Sequence, residues 1–240
     1  MAELLFFLSA FAAEVIGTMV GFGSSTIFLP LALFFVNFKT ALVLVAFLHI
    51  FGNLGRITFF RHGLDKKLLL VFGVPSVILT VAGALLVNYV SQDLFKVVLG
   101  AFLLLFSVAS IIKPSLQFKP TKQNAILGGG LSGFLAGLIG TGGALRGAFL
   151  TAFNLPKGVY IATAAAIALA VDATRIPIYF AGEFLETKYF AYIPILFLIA
   201  LAGSFTGKKI VDKVPQKKFR QLVLAALVLI GVKFIYDGLF

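Results

Sequence analysis

Two glycine-rich runs hold residues that could do chemistry: Gly21-Phe22-Gly23-Ser24-Ser25 and Gly140-Thr141-Gly142-Gly143-Ala144. Each falls between two short apolar pieces, 4–20 and 26–36 in the first case, 125–139 and 144–155 in the second. Glycine tolerates positive φ and lets backbone come close to a ligand. A helix that begins just after such a break turns unpaired amide donors and its positive dipole end back toward it. Two such starts aimed at one point would suit an anion, with Ser24, Ser25 and Thr141 adding hydroxyl donors. The plainer alternative is that these small residues, like Gly17, Gly133 and Gly137, only let helices pack closely.

Few charged groups lie within the apolar stretches. Arg56 and Arg175 each sit near the end of one. Burying an Arg at a helix centre costs about 2.5–3.5 kcal/mol on insertion scales, and a place near the end lets it snorkel instead. Such a pair invites an anion between its members; alternatively, each Arg is held by its own interface or by backbone carbonyls. Asp172, three residues before Arg175, shares its helical face and would neutralise it. Arg146 follows the second break with no carboxylate near it in sequence, which makes it the best single positive ligand if it faces a cavity rather than headgroups. The expected substrate-binding set is therefore Gly21, Gly23, Ser24, Ser25, Arg56, Gly140, Thr141, Gly142, Gly143, Arg146 and Arg175. Glu14, His49 and Asp172 are the other ionisable groups at this depth and are candidates for proton coupling. Glu14 would equally suit a salt bridge to an Arg on another helix.

These side chains need a membrane to hold them. Hydrophobic residues make up 60% of the chain and charged residues only 12%, with a mean hydropathy of +1.08. A soluble domain carries roughly a quarter charged residues. Residues 68–90, 94–112, 189–207 and 222–236 are near the roughly 20 apolar residues that cross a bilayer. Lipid offers backbone no hydrogen-bond partner, so spanning segments are helices or closed barrels, and long uninterrupted apolar runs select helices. The pieces beside the glycine runs reach only about 17–26 Å, short of the roughly 30 Å core, and are expected to break within it. Met1 and Glu3 run straight into an apolar segment without a basic leader, so the first segment is read as a retained helix. The net charge is +11, yet more than half of the 20 Lys and Arg fall in segments 61–67, 113–122 and 208–220. That clustering suits a cytoplasmic face and anionic membrane lipid rather than nucleic acid. Cysteine is absent and no metal-binding motif is found, so neither a metal nor a cofactor is expected.

The chain repeats itself. A shift of 119 positions superposes Gly21 on Gly140, Gly23 on Gly142, Arg56 on Arg175, Gly63 on Gly182 and Pro75 on Pro194. After a small insertion the shift becomes 124, and Gly83, Val90, Gln92 and Phe95 meet Gly207, Val214, Gln216 and Phe219. Asn53 is the counterpart of Asp172, and Ile27 that of Arg146. The basic segment 61–67 matches 181–188, which carries Glu183 and Glu186, so the two belong on opposite sides. Placing 61–67 inside puts every strongly basic loop inside and both termini outside. The expectation is an all-α bundle of two inverted repeats, each with two short, glycine-interrupted helices, re-entrant or tilted, followed by three spanning ones. The first repeat covers 1–112, a cytoplasmic linker 113–124, and the second repeat 125–240.

Gly137-Leu-Ile-Gly-Thr-Gly-Gly143 with Leu155-Pro-Lys-Gly-Val-Tyr-Ile-Ala-Thr-Ala-Ala165 resembles the second repeat signature of the sulfite exporter TauE/SafE family of membrane permeases. Gly21-Phe-Gly23 with Phe28-Leu-Pro-Leu31 is similar to its first. Ser24, Ser25 and Arg146 depart from the family pattern. The resemblance implies transport of sulfite or of an organosulfonate such as sulfoacetate. The expected function is a secondary transporter for a small anion, working by alternating access in a prokaryotic inner membrane, with an oligomer possible. A passive anion channel or membrane scaffold is the alternative. A membrane-embedded enzyme is less well supported, because no two Asp share membrane depth and His49 is the only deep His.

Overall fold

The computed structural model describes residues 1–20, 23–59, 63–113, 118–210 and 216–240. Gly21 and parts of the three basic segments lie outside the described residues. Among those described, all regular structure is helical: α1 (Ala2–Val20), α2 (Ser25–Ala32), α3 (Phe38–Phe59), α4 (Lys66–Leu86), α5 (Gln92–Ile112), α6 (Lys122–Ile139), α7 (Gly143–Leu150), α8 (Lys157–Ala181), α9 (Tyr192–Ile210) and α10 (Gln216–Leu239), with short 3-10 turns between some of them. Six stretches are long and apolar enough to cross a membrane: Ala2–Met19, Phe38–Phe59, Lys66–Tyr89, Gln92–Ile112, Gly158–Ala181 and Thr187–Ile210.

Local chemistry sets several helix starts. The side chains of Asp65, Ser91 and Thr121 accept hydrogen bonds from the amides of Leu68, Leu94 and Asn124, capping α4, α5 and α6. The Thr121 cap starts α6 inside the segment read as a linker. At the other end Gly140 takes the left-handed conformation, φ 72°, and stops α6. Gly23 takes the same conformation at the first break, φ 84°, shortly before α2 begins. The breaks therefore fall where the glycines predict, but only one helix of each pair is short. α2 and α7 have 8 residues each, whereas α1 has 19 and α6 has 18, because each of those two continues into polar residues at its start.

Packing follows glycine stripes. A Cβ on Gly129, Gly133 or Gly137 of α6 would come within 2.2, 2.1 and 2.3 Å of the carbonyl oxygens of Phe72, Ser76 and Thr80 on α4. The two backbones touch, and hydroxyls join them: Ser76 Oγ lies 2.9 Å from the Gly129 carbonyl and Thr80 Oγ1 3.0 Å from that of Gly133. Residue numbers rise together along α4 and α6. They also rise together along α1 and α9, where Gly203 meets Phe11 and Glu14, and Gly207 meets Val15 and Thr18. Contacts run in opposite order along α3 and α8, from Thr40 with Phe184 through Phe47 with Phe180 to His49 with Asp172. They do so again along α5 and α10, where Gly100 meets Gly231 and Gly238 meets Asp93. Exchanging α1–α5 for α6–α10 turns the α1/α9 pair into α6/α4 and the α3/α9 pair into α8/α4, all of which are packed.

The bundle has two ends. One gathers Glu3 with Tyr192, Asn37 with Glu186, Lys39 with Asn88, and Lys96 with Asp237. Both termini and the turn between α8 and α9 therefore lie at this end. Lys208 with the Phe59 carbonyl, and Asp65 with Thr163, mark the other.

Candidate functional site

The breaks meet in the middle of the bundle. Thr26 at the start of α2 and Thr141 before α7 bring their hydroxyl oxygens to 2.8 Å, both fully buried. This contact holds the starts of the two short helices side by side. Around it lie the buried charges, sorted into two networks and one residue in neither.

The first network belongs to α1 and α3. Arg56 pairs through Nη2 with Glu14 Oε1, donates from Nη1 to Asn53 Oδ1 at 2.7 Å and from Nε to Thr18 Oγ1 at 3.2 Å. Ser204 of α9 also donates to Glu14 Oε1, at 2.7 Å. Glu14 shares a face of α1 with Thr18, four residues on, which is why both reach the same guanidinium. The second network belongs to α8. Arg175 Nε donates to Asp172 Oδ1 at 3.0 Å, its Nη1 to the Ala136 carbonyl at 2.7 Å, and its Nη2 lies 2.8 Å from Asp172 Oδ1. The other carboxylate oxygen, Oδ2, lies 2.8 Å from His49 Nδ1 on α3. Burial of an ion pair is tolerated when its hydrogen bonds are completed, and these two arginines are each matched by one acid.

Arg146 is not matched. It projects from α7, is only 5% exposed, and among the described residues its guanidinium has no hydrogen-bond or ion-pair partner. It faces a cavity of about 30 Å³ whose walls include Gly17, Thr18, Gly23, Asn53, Arg56, Gly147 and Tyr160. One water needs roughly 10–15 Å³, so the cavity has room for a small polar guest. Asn53 Nδ2 on its wall has no partner among the described residues, and neither do Ser24 Oγ and His49 Nε2, beside the cavity-lining Gly23. Nδ2 and Oγ can both donate. An unmatched cation beside unpartnered donors is the arrangement that receives an oxyanion.

The description Sulfite exporter TauE/SafE belongs to the family model that matches residues 6–234, nearly the whole chain. The chain belongs to the TauE/SafE family. It is accordingly an integral membrane protein of a transporter family, in keeping with its six apolar helices. Comparison with curated proteins and with solved structures returned no match.

Within this TauE/SafE chain the expected site residues take different places. Gly23, Arg56 and Arg146 line the cavity. Ser24 and Ser25 are buried at the start of α2, and Thr141 bonds to Thr26. Gly140 turns the chain, while a Cβ on Gly142 would stand 1.9 Å from the Ser132 carbonyl, so its smallness serves backbone packing against α6. Gly143 opens α7, buried. Arg175 lies behind the cavity wall with its acceptors in place, and Glu14 takes up the salt bridge to an Arg on another helix. Sequence reasoning did not include Thr18, Thr26, Asn53 or Tyr160 among the site residues. Signals point to two of them: Asn53 is the repeat counterpart of Asp172, and Tyr160 stands inside the 155–165 signature.

Proposed function

We propose that the chain is a secondary transporter that carries a small oxyanion, sulfite or an organosulfonate such as sulfoacetate, by alternating access between two inverted repeats. The observation that carries this reading is Arg146, buried on the cavity wall with no ion-pair partner among the described residues. A lone buried cation is costly, and an anion between Arg146 and the amide of Asn53 removes that cost. Sulfite and sulfonates present three oxygens, enough to engage a planar guanidinium on two of them and a neighbouring donor with the third. The opposed contact order of α3 with α8 and of α5 with α10 supports the inverted relation, since these are counterpart helices under the internal repeat. Inverted repeats commonly place their interrupted helices around a midplane site and rock about it. In this reading the basic end of the bundle is cytoplasmic and both termini lie outside a prokaryotic plasma membrane.

Uptake of labelled sulfite, sulfoacetate and taurine into proteoliposomes tests the proposal. Saturable flux of at least one of them is expected. Arg146→Gln should cut kcat/KM about 30-fold or more, the equivalent of the roughly 2 kcal/mol minimum for an unpaired buried charge, and Arg146→Lys should recover part of it. No saturable flux for any small anion would reject the reading, and flux that rises without saturation would make the protein a channel.

A further inference from the structure

Among the described residues, the buried charges around the cavity count to an odd number. Glu14 is taken by Arg56 and Asp172 by Arg175, which leaves Arg146 as a single fixed positive charge. That balances one negative charge on a guest and no more. Sulfonates with one acidic group carry one, whereas oxyanions such as sulfate carry two. A second buried negative charge needs a second positive one.

One group is placed to supply it on demand. His49 is 3% exposed on α3, and its Nδ1 lies 2.8 Å from Asp172 Oδ2 on α8. Its Nε2 has no partner among the described residues and points at the first break: a Cβ on Gly23, which lines the cavity, would sit 2.4 Å from it. The charged groups that act on this imidazole are Asp172 of α8, Arg56 of α3 and Arg146 of α7; Glu14 of α1 pairs with that Arg56, Arg175 of α8 with that Asp172, and Tyr160 of α8 stands on the cavity wall. Arginine keeps its proton, each carboxylate is engaged by an arginine, and a tyrosine could only add negative charge. Histidine alone has an ordinary pKa near neutrality.

We propose that His49 takes up one proton when the cavity receives a doubly charged oxyanion and none when it receives a singly charged one. This inference rests on the anion-transport reading above and gives it a coupling stoichiometry. The proton arrives from the solvent at Nε2, so that the imidazolium carries one proton on each ring nitrogen, and it leaves with the dianion when the site empties. Because His49 and Asp172 stand on counterpart helices of the two halves, the imidazolium forms at the boundary across which those halves would move.

Calorimetry on the full-length protein in detergent, in two buffers of different ionisation enthalpy at pH 8, counts protons taken up on binding. Sulfate serves as the dianion and methanesulfonate as the monoanion. The expected result is about one proton per sulfate and none per methanesulfonate, with sulfate affinity falling about tenfold per unit rise in pH. His49→Gln, checked for a single symmetric peak on gel filtration, should bind sulfate without proton uptake and without that pH slope. Equal proton counts for the two anions in the unaltered protein, or a slope that survives in His49→Gln, would overturn the inference while leaving anion transport standing. Failure of the unaltered protein to bind either anion would remove both.

Discussion

Arg56 and Arg175 show how far identical residues can be read from a repeat. Each is followed back three positions by a polar partner, Asn53 or Asp172, and in both copies the arginine bonds to it. The geometry was visible in the sequence because i and i+3 share a helix face. A salt bridge from Glu14 to an Arg on another helix was legible as an alternative, but not which Arg it meets, since the repeat counterpart of Glu14 is Gly133, which carries no charge. Glu14 binds Arg56, Thr18 and Ser204 at one oxygen. Removing its charge strands a buried guanidinium, and the loss of one partner of a buried pair costs about 3–5 kcal/mol, whereas replacing both is often close to neutral. Glu14→Gln should therefore lower the thermal unfolding midpoint in detergent markedly. The double variant Glu14→Gln/Arg56→Gln should recover most of that loss. Equal destabilisation of the single and double variants would mean that the pair is not the unit that matters.

At the scale of elements, the α4/α6 pair depends on absent side chains. Gly129, Gly133 and Gly137 recur every fourth residue and present one bare face of α6 to α4, with backbone carbonyls of α4 about 2 Å from where a Cβ would stand. In lipid, helices gain little by hiding apolar surface and associate through close packing and interhelical hydrogen bonds. Ser76 and Thr80 supply those bonds here. Gly133→Val must push the helices apart and break both. Overpacking of this kind costs about 1–3 kcal/mol and sometimes more, so the variant should unfold at clearly lower temperature and run as a broader species on gel filtration. Gly73→Ala on α4 makes a fitting control for added bulk alone, since a Cβ there meets only Ile167 Cγ1, at an ordinary contact distance of 3.7 Å. The stripe was legible as small residues at helical spacing. Its partner helix was not, because an apolar sequence holds no sign of which neighbour a bare face will meet.

For the whole molecule, the order of the helices follows from hydropathy and the two breaks from glycine, whereas the number of long helices does not, since α1 and α6, expected to be short, run to 19 and 18 residues. Both α1 and α6 extend into polar residues at their starts, so an apolar run gives only the minimum length of a helix. What charge patterning adds is a sidedness, and the fold makes it testable. Leu64 precedes α4 at the end marked by Lys208 and Phe59, while Thr187 stands in the turn before α9 at the end that holds both termini. Both are exposed. The native chain contains no cysteine, so a single introduced thiol reports its own position without background. Thr187→Cys should react with a membrane-impermeant maleimide added to intact cells, and Leu64→Cys only after the membrane is opened. Positive-inside loops require that order, since residues 61–67 are basic and 181–188 carry two glutamates. If the order is reversed, the bundle sits the other way up and the repeat relation survives. If both thiols react from the same side, counterpart loops share a face, the two halves cannot be inverted copies, and a site shared between their interrupted helices loses its two-fold basis.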